Sequence, residues 1–389
     1  RSRDFYFDGD KEAVALGKTL FSLSPADGEF DQPIEPHNDD TRYQIARALA
    51  GSVARVETYA LADVDKPGAI PYAVQELRYL VREIRRKDQY ASAVLLPMTL
   101  ETINYQYDRF MNDPLCSHEV NLRCNEFGSP TQALQVSYAR RLAATDTPPF
   151  IDPDEQQWWR DAHDEAQQSF YLSETRAQTI NLTTDFQKWR LGLPYLQRGN
   201  ALVLPKGTLP TGLTPAQVSF EQLALHQDSS HWNTARLLTT QSVQRYMSTD
   251  GAALADGVAE FEALTGPLEL AQLDKTALDA YSVLPPPFNI HTQLMKIGYT
   301  PMPFLFEAPS PFDAEPALYS AHFGFAEYAG LDKFYKVRSY RETPSHGHTK
   351  AQYDDYNLAI TSVVLPDGCT TRIVYDYHAL QPQKIIDAN

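Results

Sequence analysis

Disulfides are not what holds this chain together. Its 389 residues contain three cysteines, Cys116, Cys124 and Cys369, a count too small and too odd for a disulfide framework. The protein therefore either folds in a reducing compartment before release or needs no staples. No apolar run approaches the ~18 residues of a transmembrane helix, so no direct membrane insertion is expected. The opening residues, RSRDFYFDGDKEA, lack the apolar core of a signal peptide and begin with Arg rather than Met. Positive charge is also scarce. Lys and Arg number 34 against 50 Asp and Glu, a net charge of −16, and such a surface repels a phosphate backbone. Nucleic acid is thus not an expected partner. The charge is spread without long like-charged runs, so no acidic tail is indicated. G-x-S-x-G, P-loop and dinucleotide-binding fingerprints are all missing.

What is present belongs to a globular, β-leaning protein. Hydrophobic residues make up 43% and charged residues 22%, the range of chains that bury a core. The length suits two or three domains. Tyr (22) and Phe (18) favour half-buried pleated surfaces, and 27 Pro imply frequent turns and few long helices.

Periodicity divides the chain into four stretches. Residues 1–51 read as an irregular lead-in with one short helix. Asp40-Thr41 offers its cap, Tyr43, Ile45, Ala46 and Leu49 share a face, and Gly51 ends it. Residues 52–144 alternate as strands. Val53, Arg55, Glu57 and Tyr59 face one way and Val56 and Thr58 the other; Ile103, Tyr105 and Tyr107 oppose Asn104 and Gln106. Glu126 to Pro130 reads as a hairpin turn around Gly128. Residues 145–300 read as a helix-bearing insert. One helix starts at Asp152-Pro153, strand text lies at Phe170–Thr183, and helical patches span 214–225, 234–247, 258–264, 273–284 and 290–297. Thr214-Pro215 and Asp274-Lys275 read as helix starts. Residues 301–389 return to short strands. The C-terminal IIDAN falls within a strand-and-turn pattern, which suggests a piece of a longer chain.

The most specific text lies near the end. Tyr353-Asp354-Asp355-Tyr356-Asn357 is followed by Pro366-Asp367-Gly368-Cys369-Thr370-Thr371 and then Tyr375-Asp376-Tyr377. Tyr353 and Tyr375 are 22 residues apart, the spacing of a repeated hairpin. Gly368 accepts positive φ, and Asp367 bonds its own backbone. Thr371 and its neighbours build the strand. Asn125-Glu126-Phe127-Gly128, preceded by Tyr105-Gln106-Tyr107-Asp108-Arg109, echoes the pattern. Fragments with a period near twenty residues indicate stacked units that cannot bury a face alone.

DGCTTRIVYDY resembles an Rhs/YD repeat of bacterial polymorphic toxins. The surrounding text resembles one branch of that family, the B component of the insecticidal toxin (Tc) complexes. The stretches that carry the likeness are YQIARALAGSVARVETYAL, IPYAVQELRYLVR, LPMTLETINYQYDR, DPLCSHEVNLRCNEFGSP and YDYHALQPQKIIDAN. It spans most of the chain and is weakest between about 145 and 300. The resemblance implies a mainly β fold with a helix-bearing insert (α+β), a spiralling sheet forming part of a hollow shell. It implies a secreted, non-catalytic wall segment that encloses a toxic cargo with a C component and needs no cofactor. Docking to the pore-forming A component belongs to a propeller that the matched text does not include. The family's self-cleaving aspartyl protease belongs to the C component and has no counterpart motif here.

Four other groups of residues carry types used in chemistry. Cys116, His118 and Cys124 have the spacing C-x-H-x5-C without a fourth ligand, which fits no structural zinc pattern. His346 and His348 sit in a turn, where a solvated loop is the simpler reading. Glu260-Phe261-Glu262 resembles the Glu-x-Glu of ADP-ribosyltransferases, but its Ser248-Thr249 partner is too close. Trp158-Trp159 with nearby acids would suit a carbohydrate-binding or carbohydrate-active protein, the alternative function. Adjacent Trp residues on a helix, however, point apart.

Overall fold

The computed structural model describes residues 7–14, 16–26, 28–63, 66–87, 92–108, 110–185, 187–205, 219–225, 237–285, 288–306 and 318–388. Alternating side chains, β-branched residues and Asp-Gly turns give a mainly β chain with large open sheets and few helices. The chain divides into two compact units. One comprises Arg1–Arg176 and Gly199–Thr239, the other Ala177–Arg198 and Thr240–Asn389.

In the first unit, β1 (Leu20–Leu23), β2 (Arg55–Thr58), the ribbon β3 (Leu61–Asp63) and β4 (Lys66–Pro67), and β5 (Ala73–Arg85) precede β6 (Val94–Gln106), β7 (Leu115–Cys124) and β8 (Pro130–Ser137). β9 (Ser169–Leu182) and β10 (Arg190–Pro205) each contribute one end to each unit. β5 through β9 run antiparallel in chain order. β1 lies parallel to Leu80–Glu83 of β5 and β2 antiparallel to Ala73–Glu76, so two short strands share one edge. One face of this sheet is apolar. Leu80, Leu100, Val120, Leu122, Leu134, Val136, Phe170 and Leu172 form its core, joined by Phe220 and Leu223 of the helix Phe220–Leu225.

Polar side chains are embedded in the same face. Arg78, Glu101, Val120, Leu134 and Glu174 occupy one cross-strand row. Arg82 is fully buried and holds Asp31 through two bonds, Nε to Oδ1 at 2.9 Å and Nη2 to Oδ2 at 2.6 Å. Ser22 Oγ donates to the same carboxylate at 2.7 Å. A second anchor holds the segment that begins at Phe7. Asp10 accepts Arg141 at 3.0 and 2.8 Å and Tyr107 Oη at 2.8 Å, and the Val14 amide donates to Tyr105 Oη at 2.7 Å. The alternation expected for β2 is present, but its charged side faces inward. Arg55 and Glu57 are half-buried and paired at 2.6 Å, while Val56 is exposed.

The second unit contains β11 (Leu237–Met247) from Thr240 onward, β12 (Leu264–Asp274), β13 (Thr300–Pro301) and β14 (Leu318–Phe323), ordered β11-β12-β14-β13. A six-stranded meander follows: β15 (Phe325–Tyr328), β16 (Val337–Arg341), β17 (Thr349–Tyr353), β18 (Ile360–Val364), β19 (Thr370–Asp376) and β20 (Gln381–Ile386), each antiparallel to the next.

Several local expectations need correction. Residues 237–247 are strand β11, not helix; the preceding 234–236 lie outside the described residues. Gln241 and Val243 are buried at a spacing of two, but a bulge between Gln244 and Tyr246 shifts the phase and buries Tyr246. That three-residue step imitates a helical repeat. Residues 258–263 form turns, with Ala263 at φ 47°, and lead into β12. Of 214–225 the described residues are 219–225, and Phe220–Leu225 is helical; Thr214-Pro215 lies outside the described residues. The helix Asp39–Ala48 is capped by Asn38, whose side chain accepts the Thr41 amide; Asp40 sits in the first turn. Other expectations match. Asp152 caps Pro153–Asp161, Asp274 caps Lys275–Asp279, and Ile290–Lys296 is helical.

Two outcomes follow from the buried charges. Arg82→Leu leaves the Asp31 carboxylate buried without its cation and costs about 3–5 kcal/mol. Denaturant titration measures this, and an unchanged midpoint contradicts the anchor. At Asp10, burial pushes the pKa up, but bonds from Arg141 and Tyr107 outweigh it and hold the carboxyl below its ordinary value. A folded pKa below the unfolded one stabilises above the ordinary carboxylate range, and that stability is lost as pH falls through the folded value. Arg141→Gln should therefore flatten the acid limb of the stability profile, measured as Tm against pH.

Candidate functional site

The tyrosine-bearing text of residues 353–377 folds into the loops and strands of the C-terminal meander. Between β18 and β19, Leu365 to Cys369 make a tight turn. The Gly368 amide donates to the Leu365 carbonyl at 2.9 Å, and the Leu365 amide to the Cys369 carbonyl at 2.9 Å. Asp367 Oδ1 accepts the Cys369 amide at 2.9 Å, a bond that lowers the Asp367 pKa. Gly368 sits at φ 88°, where a Cβ is strained although nothing crowds it. Thr371, opposite Val363 on β18, donates to Asp387 at 3.3 Å.

The same turn recurs on different residues. In Asn125 to Ser129, Gly128 has φ 83°, its amide meets the Asn125 carbonyl at 3.1 Å, and the Asn125 amide meets Ser129 at 2.9 Å. In Ser248 to Ala252, Gly251 has φ 87° and the equivalent bonds are 3.0 and 2.9 Å. A related loop, one residue longer, runs from Asp354 to Ala359: Asn357 takes the left-handed position at φ 55°, its amide meets the Asp354 carbonyl at 3.0 Å, and the Asp354 amide meets the Ala359 carbonyl at 3.0 Å. Asn tolerates this conformation better than most residues with a Cβ. Asp250-Gly251 shares its dipeptide with Asp367-Gly368, so the signal for that turn was present in the sequence.

The two Tyr-Asp segments meet at their turns. Tyr377 Oη donates to Asp354 Oδ2 at 2.8 Å, and Asp354 Oδ1 accepts the Leu358 amide at 2.8 Å. Tyr356 and Tyr377 contact edge to face, with centroids 6.1 Å apart. Partial desolvation raises the Asp354 pKa, but these bonds outweigh it and hold the carboxyl below its ordinary value. Asp376 Oδ1 accepts the His378 amide at 2.8 Å, and Tyr353 Oη reaches the Val337 carbonyl at 3.0 Å. Tyr375 lines a hollow of about 590 Å³ with Leu358, Ile360, Val363, Ile373 and Leu380. The strand ladder shifts register beside Tyr353 and Tyr375, and again beside Tyr328. Tyr328 therefore joins the series by its bulge. Its text, Tyr-Ala-Gly, lacks the following Asp that marks the other two.

The alternative chemistries do not converge. Cys116, His118 and Cys124 lie along β7, and six residues of strand separate His118 from Cys124 by about 20 Å. His118 Nε2 meets Glu101 at 2.9 Å instead. Burial pushes the Cys116 thiol up to about 12 and the Cys124 thiol up to about 11, so neither is a ready thiolate. Among the described residues no group of three or more metal-ligating side chains gathers. His346 bonds Thr343 and His348 bonds Ser339, each at 2.8 Å. Glu260 accepts the Thr249 amide at 3.2 Å and braces a turn. Trp159 packs on His163 with centroids 4.1 Å apart, while Trp158 points to solvent. The pair therefore does not present one flat platform.

Comparison with known proteins gives this architecture a context. Residues 44–193 match the family model of the insecticide toxin TcdB middle/C-terminal region. The crystal structure of TcdB2-TccC3 superposes with a TM-score of 0.80 at 26% identity, covering 99% of this chain and 18% of that one. A TcdB2-TccC3 structure without the hypervariable C-terminal region gives 0.79 at 25%, covering 99% and 17%. The Photorhabdus luminescens Tc holotoxin pore, with a TccC3 mutation, gives the same values. The chain thus spans less than a fifth of the length of the structures it matches. No curated protein matches the sequence. These likenesses define a mainly β region of the kind found in toxin-complex assemblies. Within that class they support a Tc toxin B-component region, the resemblance first carried by the Tyr-Asp text.

The turns give a graded outcome. Gly368→Val costs about 1–2 kcal/mol for its left-handed backbone. Gly128→Val costs more, because its Cβ would also lie 3.1 Å from Met98 Sδ and 3.2 Å from Leu96 Cδ2. Equal losses in thermal melts of the two variants would contradict this assignment. Tyr377→Phe should raise the Asp354 pKa towards its ordinary value, read by carboxyl NMR titration.

Proposed function

We propose that this chain is a non-catalytic wall segment of a secreted toxin complex, part of a β-shell that encloses a toxic cargo domain together with a C component. The observation that carries the proposal is the side-by-side locking of the Tyr353-Asp354 and Tyr375-Asp376 hairpins through Tyr377 and Asp354. Such units lean on neighbours and suit a wall better than a reactive cleft. The repeat residues Tyr353, Asp354, Tyr356, Asp367, Gly368, Thr371, Tyr375, Asp376, Tyr377 and Gly128 then act as turn and lock elements.

The structural likenesses are to TcdB2-TccC3 complexes and a holotoxin pore, which favours a C component as the direct partner. Any contact with the A component runs through a propeller outside the matched text. No helix among the described residues is long and apolar enough to cross a membrane.

Cryo-electron microscopy of the full-length B protein bound to its C partner tests the reading. The expected image is a closed hollow body with these strands in its wall and the cargo segment inside. A solid globule, or a body closed without this region, overturns it.

A further inference from the structure

The sheet of the first unit keeps its ionisable side chains on the covered side. Strand alternation sends successive side chains of β5 to β9 to opposite faces. Arg78, Arg82, Glu101, His118 and Glu174 point to the core side and are buried. The open side carries different text. One of its cross-strand rows is Gln75, Asn104, Ser117, Ser137 and Tyr171, and the neighbouring row is Leu77, Thr102, Glu119, Gln135 and Ser173. None of these ten is buried, and Glu119 is the one formal charge among them.

Solubility alone selects the reverse arrangement. In a chain with 22% charged residues and a net charge of −16, charges belong on the side that meets bulk water. Here they turn inward, where each needs a buried partner, and the open face keeps amides and hydroxyls. Part of that face is satisfied within the sheet. Gln75 Nε2 donates to Asn104 Oδ1, and Asn121 Nδ2 to the Thr99 carbonyl, each at 2.9 Å.

A fixed protein partner finds little to hold on this face. Tight interfaces centre on buried aromatic, aliphatic or arginine anchors. Leu77 is the one aliphatic side chain of the two rows. Tyr171 donates its hydroxyl to the Ala166 carbonyl at 2.9 Å, and Tyr79, opposite Thr99 on the same face, donates to the Val53 carbonyl at 2.7 Å. What the face suits is a polypeptide that stays close without being gripped. Charges on a confining wall hold a cargo of opposite sign and repel one of like sign, because Coulomb terms add over many close pairs. Amides and hydroxyls exchange hydrogen bonds between water and peptide at small net gain, so they do neither.

We propose, on the footing that the chain is a shell wall, that this neutral face of β5 to β9 is the inner side of the wall and lies against the cargo polypeptide. The charged side of the same strands, closed by the core and the helix Phe220–Leu225, then faces away from the cargo.

The test uses the full-length B protein with Ser137→Cys or Ser173→Cys, alone and bound to its C partner. Both positions are exposed, and the change is small in each. Peptide mass spectrometry reads labelling at each site separately from the exposed Cys369. A maleimide on a long polyethylene glycol chain should label both sites in the free B protein and lose access to both in the complex. A benzophenone maleimide attached at either site before assembly should crosslink to the cargo segment of the C partner. Continued labelling by the large reagent, in a complex that electron microscopy shows closed and hollow, puts the face outside and overturns the proposal while the wall itself stands. Crosslinks confined to parts of the C partner other than the cargo identify a fixed interface and overturn it as well. A complex without a cavity overturns the wall and this proposal together.

Discussion

A guanidinium buried without water must find acceptors for its donors, and the first unit is organised around that requirement. Arg78 reaches the Lys18 carbonyl, Glu101 and Glu221; Arg82 reaches Asp31 and the carbonyls of Cys124 and Asn125. Arg55 holds the Phe7 carbonyl together with Glu57 and Glu76. Each fork ties a segment with little regular structure to a strand. Outside β1 and the helix Asp39–Ala48, the described residues preceding β2 contribute few ladder hydrogen bonds, so these forks supply the order that a sheet register would otherwise impose. Arginine suits this role because its donors are fixed in one plane and point in several directions at once.

Much of this fold was legible where one face of a strand is plainly apolar. Ile103, Tyr105 and Tyr107 alternate with Asn104 and Gln106 in the text, and the three are buried in the structure. Legibility failed where a bulge broke the phase, as at Gln244 to Tyr246, because a three-residue step copies the helical period. It also failed where the buried side is charged. Nothing local in RVET says that Arg55 and Glu57 turn inward, since that depends on Glu76 of β5 and the Phe7 carbonyl. Asp367-Gly368 could be read because its conformation is set by the dipeptide itself. The Tyr377 to Asp354 bond could not, because it depends on how two loops 23 residues apart are brought side by side.

The four related turns show how one backbone solution accommodates different texts. Gly128, Gly251 and Gly368 occupy the left-handed position, and Asn357 fills it in the fourth. The side chain that steadies each loop also differs. Asn125, Asp354 and Asp367 bond nearby amides, while Ser248 Oγ accepts the Ala252 amide. What the four share is the bond from the left-handed residue's amide back to the carbonyl three residues earlier, and the sequence signature of that bond is faint.

The meander also has a mechanical character. Antiparallel hairpins joined only to their neighbours can open one ladder at a time. The link from Tyr377 to Asp354 spans two strands and fastens the last loop to an earlier one. Lifting β20 and its loop therefore strains the junction of β17 and β18 before the intervening ladder has opened. The strands between the two loops therefore open as a block, and the force or free energy needed is that of the block.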